Sequence, residues 1–301
     1  MAMQMSKHSQ GDKSGVPSQL TASFSEMDDA QFQQWCELLE QRTGMRLAQK
    51  RRSFLVTSLG MRMRVLGFSN FQDYYDHIHS GRNGSVEWDQ LVHHLTVHET
   101  RFFRHQASLD LIRKHCLPQN TSALGKPFSI NIWSVGCSSG EEPYSVAMTI
   151  DAHMRSLQYE CYMAVLASDI SRDALAKGRR GIYSKRQIEK LRHPWQKAYF
   201  TQTDDNHFQI NEELKQRICF NQVNILDLGN TPIGSMDVII CQNVLIYYER
   251  AKRLEIVNNL AKYLAPGGMF LFAVGELLGW EHPEMDRFHY PNTLAYRRKL
   301  Q

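Results

Sequence analysis

SINIWSVGCSSGEEPYSVAMTIDAHM (residues 129–154) joins a short apolar run, a turn bounded by Gly136 and Gly140, and a helical pattern that begins at once. A short apolar run closed by glycine reads as a buried strand, and the residues after it recur at helical spacing. The same grammar repeats downstream. CYMAVLASD (161–169) ends in an acid and precedes the helical SRDALAKGR, and RICFNQVN (217–224) and MDVIICQN (236–243) read as further strands. A helix over 250–264 leads through Ala265-Pro266-Gly267-Gly268 into the strand MFLFAVGE (269–276). Strands alternating with helices predict a mainly parallel sheet covered on both faces. Two pieces depart from the rhythm: a polar insertion over 180–216, and RFHYPNTLAYRR (287–298), which predicts closing antiparallel strands around Pro291-Asn292.

Upstream the pattern is helical throughout. Phe32, Trp35, Leu38 and Leu39 recur at three- and four-residue spacing, as do Phe54, Leu55, Leu59, Met63 and Leu66. Phe71, Tyr74, Tyr75 and Ile78 mark a third helix that should stop at Ser80-Gly81-Arg82-Asn83-Gly84, and a fourth should run from Trp88 to Val97. Residues 1–22 are rich in Ser, Gln, Lys and Gly and read as a disordered lead-in. The length of 301 residues suits two domains. The expected division is a helical domain with its linker over 23–105 and an α/β domain over 106–301. No apolar run approaches a membrane span, and the first residues lack the apolar segment of a secretory signal. The six cysteines follow no metal or disulfide spacing, which fits free thiols in a reducing cytosol. A net charge of +4 points to no partner by itself.

Three features carry chemistry. In the turn Gly136-Cys137-Ser138-Ser139-Gly140, glycines let backbone approach a ligand beyond the strand ends. Glu141 and Glu142 at the helix start would repel a phosphate and attract an ammonium or sulfonium. The same turn also reads as a plain strand-to-helix connection whose acids complement the helix dipole, and the motif alone does not decide. Asp169, closing the second strand, could accept hydrogen bonds from ribose hydroxyls or cap the helix near Ser171. The Pro-Gly-Gly turn before an apolar strand resembles the entry to the fifth strand of S-adenosylmethionine-dependent methyltransferases. Together these favour an adenosylated, cationic cofactor. Base methylation is disfavoured: Cys241-Gln242-Asn243-Val244-Leu245-Ile246-Tyr247-Tyr248 has no proline, and neither Cys137 nor Cys241 follows one.

LTVHETRFFR (95–104), GCSSGEEPYS (136–145), ASDIS (167–171), NVLIYY (243–248) and APGG (265–268) closely resemble, in order, the CheR family. These are the glutamate O-methyltransferases of bacterial chemoreceptors, and the resemblance runs from about residue 25 to 298. A looser similarity points to a subtype serving pilus-linked twitching motility. The resemblance implies a Rossmann-like class I methyltransferase sheet, an N-terminal all-helical domain and a small antiparallel β insertion. It implies S-adenosylmethionine as cofactor, S-adenosylhomocysteine as product and no metal. Cofactor contacts carried over are His98, Thr100, Arg104, Glu141, Asp169, Asn224, Ile225, Gln242 and Asn243. The family commonly has Asn at the place of His98 and Arg at that of Gln242. A protonated His98 would repel a sulfonium, so cofactor affinity is expected to fall at acidic pH.

The implied reaction is displacement at a methyl group by a glutamate carboxylate, which is ionised at neutral pH and needs no general base. Arg104 is expected to hold that carboxylate and Tyr247 to line the transfer channel. Between Glu40 and Asp73 there is no acidic residue, so Arg46, Lys50, Arg51, Arg52 and Arg62 form an expected basic surface. It suits the acidic helical cytoplasmic domain of a methyl-accepting chemoreceptor. Nucleic acid is not expected as a partner. The insertion offers only TQTDDNHFQIN between Phe200 and Glu212, so a short hairpin without tethering-peptide binding is expected. The reading is of a cytoplasmic enzyme that meets the membrane only through its receptor. Two alternatives remain: methylation of RNA or a small carboxylate, and a cofactor-binding sensor or scaffold without turnover.

Overall fold

Asp28 opens the first helix of the computed structural model, which describes residues 26–96, 99–120, 127–229 and 233–300. The lead-in over 1–22 and His98 lie outside the described residues. Asp28 accepts from Gln31 N at 2.7 Å while the Gln31 side chain accepts from Asp28 N at 3.2 Å, a reciprocal cap that satisfies two end donors. Helix α1 (Asp29–Thr43) buries Phe32, Trp35, Leu38 and Leu39, the face its periodicity marked. Helices α2 (Arg52–Leu66), α3 (Phe71–Ile78) and α4 (Gly81–Leu95) add Leu55, Leu59, Met63, Phe71, Tyr74, Ile78 and Leu91 to the same core.

The start of the fourth helix and the place of Arg62 depart from expectation. Helix α3 does stop just before Ser80–Gly84, but the same stretch is also the entry to α4, which starts seven residues before the expected Trp88. A Cβ at Gly84 would sit 2.4 Å from His77 O, so glycine is there to let α4 cross the end of α3 closely. Arg62 does not belong to the basic surface. Its Nε and Nη2 meet the two Glu87 oxygens at 2.8 and 2.6 Å, and Tyr74 donates to the same carboxylate at 2.6 Å. With side-chain exposures of 13% and 5%, this is an internal pair that the lone charged letters could not reveal. Tyr74→Phe, which leaves the Arg62 fork intact, should lower stability by about 1–2 kcal/mol in chemical denaturation. An unchanged midpoint would mean that Arg62 alone satisfies Glu87.

Helix α5 (Gln106–His115), unread in the sequence, leads into the sheet. Strands β1 (Phe128–Val135), β2 (Cys161–Asp169), β6 (Ile218–Gln222), β7 (Met236–Cys241) and β8 (Leu264–Phe272) are parallel, and β9 (Met285–Tyr290) and β10 (Thr293–Arg298) close it antiparallel. The order is β6-β2-β1-β7-β8-β10-β9. Alternate residues feed two cores: Ile132, Val238 and Leu271 face one side, Trp133, Ile239 and Phe272 the other. That explains why these strands read as continuous apolar runs. Helices α6 (Glu141–Ser156), α7 (Arg172–Arg180) and α11 (Arg250–Ala261) make the crossovers. The Pro-Gly-Gly stretch lies inside β8 rather than before it, with the register slipping opposite Met236–Val238.

The insertion holds β3 (Ile182–Ser184), α8 (Lys185–Ile188), α9 (His193–Tyr199), β4 (Phe200–Asp204), β5 (His207–Ile210) and α10 (Glu212–Lys215). The expected hairpin is β4–β5, and β3 joins it in an antiparallel sheet of order β3-β5-β4. No helix among the described residues is long and apolar enough to cross a membrane.

Candidate functional site

The strand order reverses direction between β1 and β7, and their crossovers diverge there, leaving a crevice beyond the carboxyl ends of the strands. A cavity occupies it. Its walls are the turn after β1 (Gly136–Ser138), the end of β2, the loops after β6 (Val223–Ile225) and β7 (Gln242–Tyr248), the linker from Glu99 to His105, and Ser108 and Leu109 of α5.

Of the nine expected cofactor contacts, Thr100, Arg104, Asp169, Asn224, Ile225, Gln242 and Asn243 line this cavity. Asp169 is not the cap of α7: Ser171 is, accepting from Ala174 N at 3.2 Å. Asp169 instead accepts from Ser138 N at 2.8 Å and Ser171 N at 2.9 Å, which locks the β1 turn to the end of β2. Desolvation raises its proton affinity, and these backbone donors oppose the rise. Asn224 holds its own loop through Leu226 N and reaches Arg42 O at 3.1 Å. Gln242 donates to Ser108 Oγ at 2.9 Å and Phe272 O at 3.1 Å, tying the strand end to α5. Asn243 sits at φ 63°. Its Oδ1 accepts from His105 Nε2 at 2.6 Å, which fixes the donor on the ring, and burial keeps that ring biased toward neutral.

Glu141, the expected acidic contact, does not line the cavity. Its carboxylate accepts from Ser139 Oγ at 2.8 Å and from Gln187 Nε2 at 2.9 Å, turned toward the β insertion. The residue that does face the cavity is Glu142. Ser134 Oγ donates to its Oε1 at 2.7 Å. Burial, reinforced by the Glu276 carboxylate and opposed by Ser134 and Arg104, pushes Glu142 up to about 7. Adjacent helical residues point about 100° apart, so two neighbouring glutamates cannot be told apart by sequence position alone. His105 was also missed; it lies one residue past the Arg104 motif, and no spacing rule marks it.

Arg104 and Tyr247 both border the cavity. The Arg104 guanidinium donates to Glu99 O, bracing the linker, and its charge faces Glu142 and Tyr247. Tyr247 sits on a 3-10 turn (Leu245–Tyr247), and burial raises its hydroxyl above the usual range. Arg46, Lys50, Arg51 and Arg52 are not part of the cavity lining but stand between α1 and the start of α2, where Arg46 N donates to Tyr247 O at 3.2 Å and the Arg51 charge acts on the Tyr247 hydroxyl. Arg46 pairs with Glu249, Arg52 with Asp29 and the Met27 carbonyl, and Arg51 lies over the Phe54 ring. Among the described residues no group of three or more His, Cys, Asp or Glu could hold a metal ion.

The lining fits an adenosylated cation: a half-buried carboxylate that a positive charge would return to its ionised form, an acid at the end of β2, and the apolar Ile225. This sheet order, crevice and lining define a class I S-adenosylmethionine-dependent methyltransferase. Residues 98–290 match the family described as "CheR methyltransferase, SAM binding domain", and residues 30–96 match "CheR methyltransferase, all-alpha domain". The chain is 30% identical to the chemotaxis protein methyltransferase of Salmonella typhimurium (strain LT2), over 86% of this chain and 90% of that protein. It is 32% identical to the one from Escherichia coli (strain K12), over 82% and 84%. It is 30% identical to the one from Borreliella burgdorferi, over 78% and 83%. The chain belongs to the CheR methyltransferase family.

Proposed function

We propose that this enzyme methylates glutamate side chains on the acidic helical cytoplasmic domain of a methyl-accepting chemoreceptor. The observation that carries the proposal is the pairing of Glu142 and Arg104 on one cavity, a carboxylate suited to a cation beside a guanidinium suited to an anion. Bound S-adenosylmethionine supplies a methyl group on a sulfonium, and its transfer to a carboxylate gives a methyl ester and S-adenosylhomocysteine. In this reading Glu142 balances the positive charge, and Asp169 accepts from sugar hydroxyls. Thr100, Asn224, Ile225, Gln242 and Asn243, together with His98, complete the cofactor contacts. Arg104 aligns the incoming carboxylate, which needs no base because it is already ionised. Tyr247 lines its approach and helps exclude water, so the nucleophile is less solvated where it reacts.

Receptor docking falls to Arg46, Lys50, Arg51 and Arg52, whose charges would steer an acidic bundle. Methylation neutralises carboxylates on packed acidic helices and so biases a two-state signalling bundle. The enzyme would work in the cytoplasm and reach the membrane only through its receptor. The short β4–β5 hairpin argues against capture of a receptor tether, so a receptor C-terminal peptide should show no affinity in the micromolar range by calorimetry.

The test uses S-adenosylmethionine labelled in its methyl group, the purified full chain and receptor-bearing membranes from the same cell. Base-released labelled methanol is expected, because an ester hydrolyses. A base-stable label would move the substrate to another class, such as RNA. Cofactor binding with no transfer would select the sensor or scaffold.

A further inference from the structure

The connection from α1 to α2 does more than join two helices. Asn224 Nδ2 donates to Arg42 O at 3.1 Å, and Arg46 N donates to Tyr247 O at 3.2 Å. Between them Gly44 (φ +69°) seats two side chains so closely that a Cβ there would lie 2.3 Å from Leu226 Cδ1 and 3.2 Å from Tyr248 Cε1. Residues 42–46 therefore bridge the loop after β6 and the loop after β7, the two loops that bound the cavity. Met45 stands at the centre of this bridge. It packs against the helical domain's core and against the sheet core beneath α11, and it lines the cavity itself.

We propose that Met45 is a positioning residue for methyl transfer, contributed to the site by the helical domain. The inference rests on the reaction proposed above and adds to it that the helical domain is part of the site as well as a docking surface. A long, adaptable thioether fills the irregular gap between two loops. Removing it opens one wall, admits water and frees the loops that carry Asn224 and Tyr247. A leucine keeps the volume.

The test compares Met45→Ala and Met45→Leu in the full chain, with calorimetry for S-adenosylmethionine and initial rates on receptor-bearing membranes. Met45→Ala should weaken cofactor binding about 5- to 10-fold and lower kcat about tenfold, with the receptor KM within about twofold of wild type. Met45→Leu should restore both. Cofactor affinity and kcat within twofold of wild type in Met45→Ala would overturn the proposal, as would a change confined to the receptor KM. Should Met45→Ala melt below the assay temperature, Met45→Val, which also leaves part of the gap empty, carries the same comparison with a smaller expected loss, and the same unchanged affinity and kcat would overturn the proposal. If the wild type binds cofactor but transfers nothing, the reaction proposed above falls, and the cofactor affinities alone still decide the role of Met45.

Discussion

Arg104→Ala is expected to lower turnover by about 100- to 1,000-fold while the melting temperature moves by only a few degrees. The guanidinium borders the cavity and donates to Glu99 O within its own linker; its charge acts on Glu142 across the cavity, but among the described residues no carboxylate lies within salt-bridge distance of it. A structural ion pair is therefore not what holds it, and its removal should cost the fold little. The loss should fall on kcat for the receptor more than on cofactor affinity, since the side chain is assigned to the incoming carboxylate. Arg104→Lys should recover only part of the rate, because an ammonium is a point charge that cannot grip a carboxylate in two places. Near-normal rates in Arg104→Ala on receptor-bearing membranes would end the assignment.

Glu142→Gln is expected to weaken S-adenosylmethionine binding about a hundredfold, close to 3 kcal/mol, and to flatten its pH dependence. Burial pushes the Glu142 carboxyl up to about 7 in the cofactor-free protein. A cation favours the ionised carboxylate, so its binding below that point must displace a proton. Affinity should accordingly hold level above about pH 7 and fall as the pH drops below it, by up to tenfold per unit until the bound-state value is reached. His98 offers a second source for the same trend, since its protonation would repel the same cation. Calorimetry from about pH 5.5 to 8 separates them: an acid-side fall that persists in Glu142→Gln and vanishes in His98→Asn assigns the effect to the histidine. A flat profile in the wild type would remove Glu142 from the role of counter-charge.

Much of the architecture was legible in the letters. The apolar runs at 129–136, 161–169 and 236–243 became β1, β2 and β7 within a residue or two, because strands buried on both faces need no alternation and stand out against polar neighbours. Short elements were less visible. Helices α8 and α10 are single turns, α8 held by a Ser184–Gln187 capping box, and four residues cannot display a period of 3.6. At Ser80–Gly84 the glycines marked the end of α3 but hid the start of α4, because Gly84 is required by the close crossing of the two helices, which no local pattern could place.

The candidate site divides in the same way. Thr100, Arg104, Asp169, Asn224, Ile225, Gln242 and Asn243 stand at strand ends and in the linker, positions set by the order of elements, and they meet at one cavity. Glu141 and Glu142 were inseparable until the helix phase directed one to Gln187 and the other to Ser134. Arg62 carried the same letter as its basic neighbours until Glu87 and Tyr74 drew it inside. The sequence by itself determined the class of fold, the family and the location of the crevice, since these follow from residue order and from hydrophobic patterning along the chain. Only the tertiary structure decided which charge is buried, which carboxylate faces the cavity and that Met45 lines it. Those outcomes depend on direction and on partners distant in sequence, and a one-dimensional pattern carries neither.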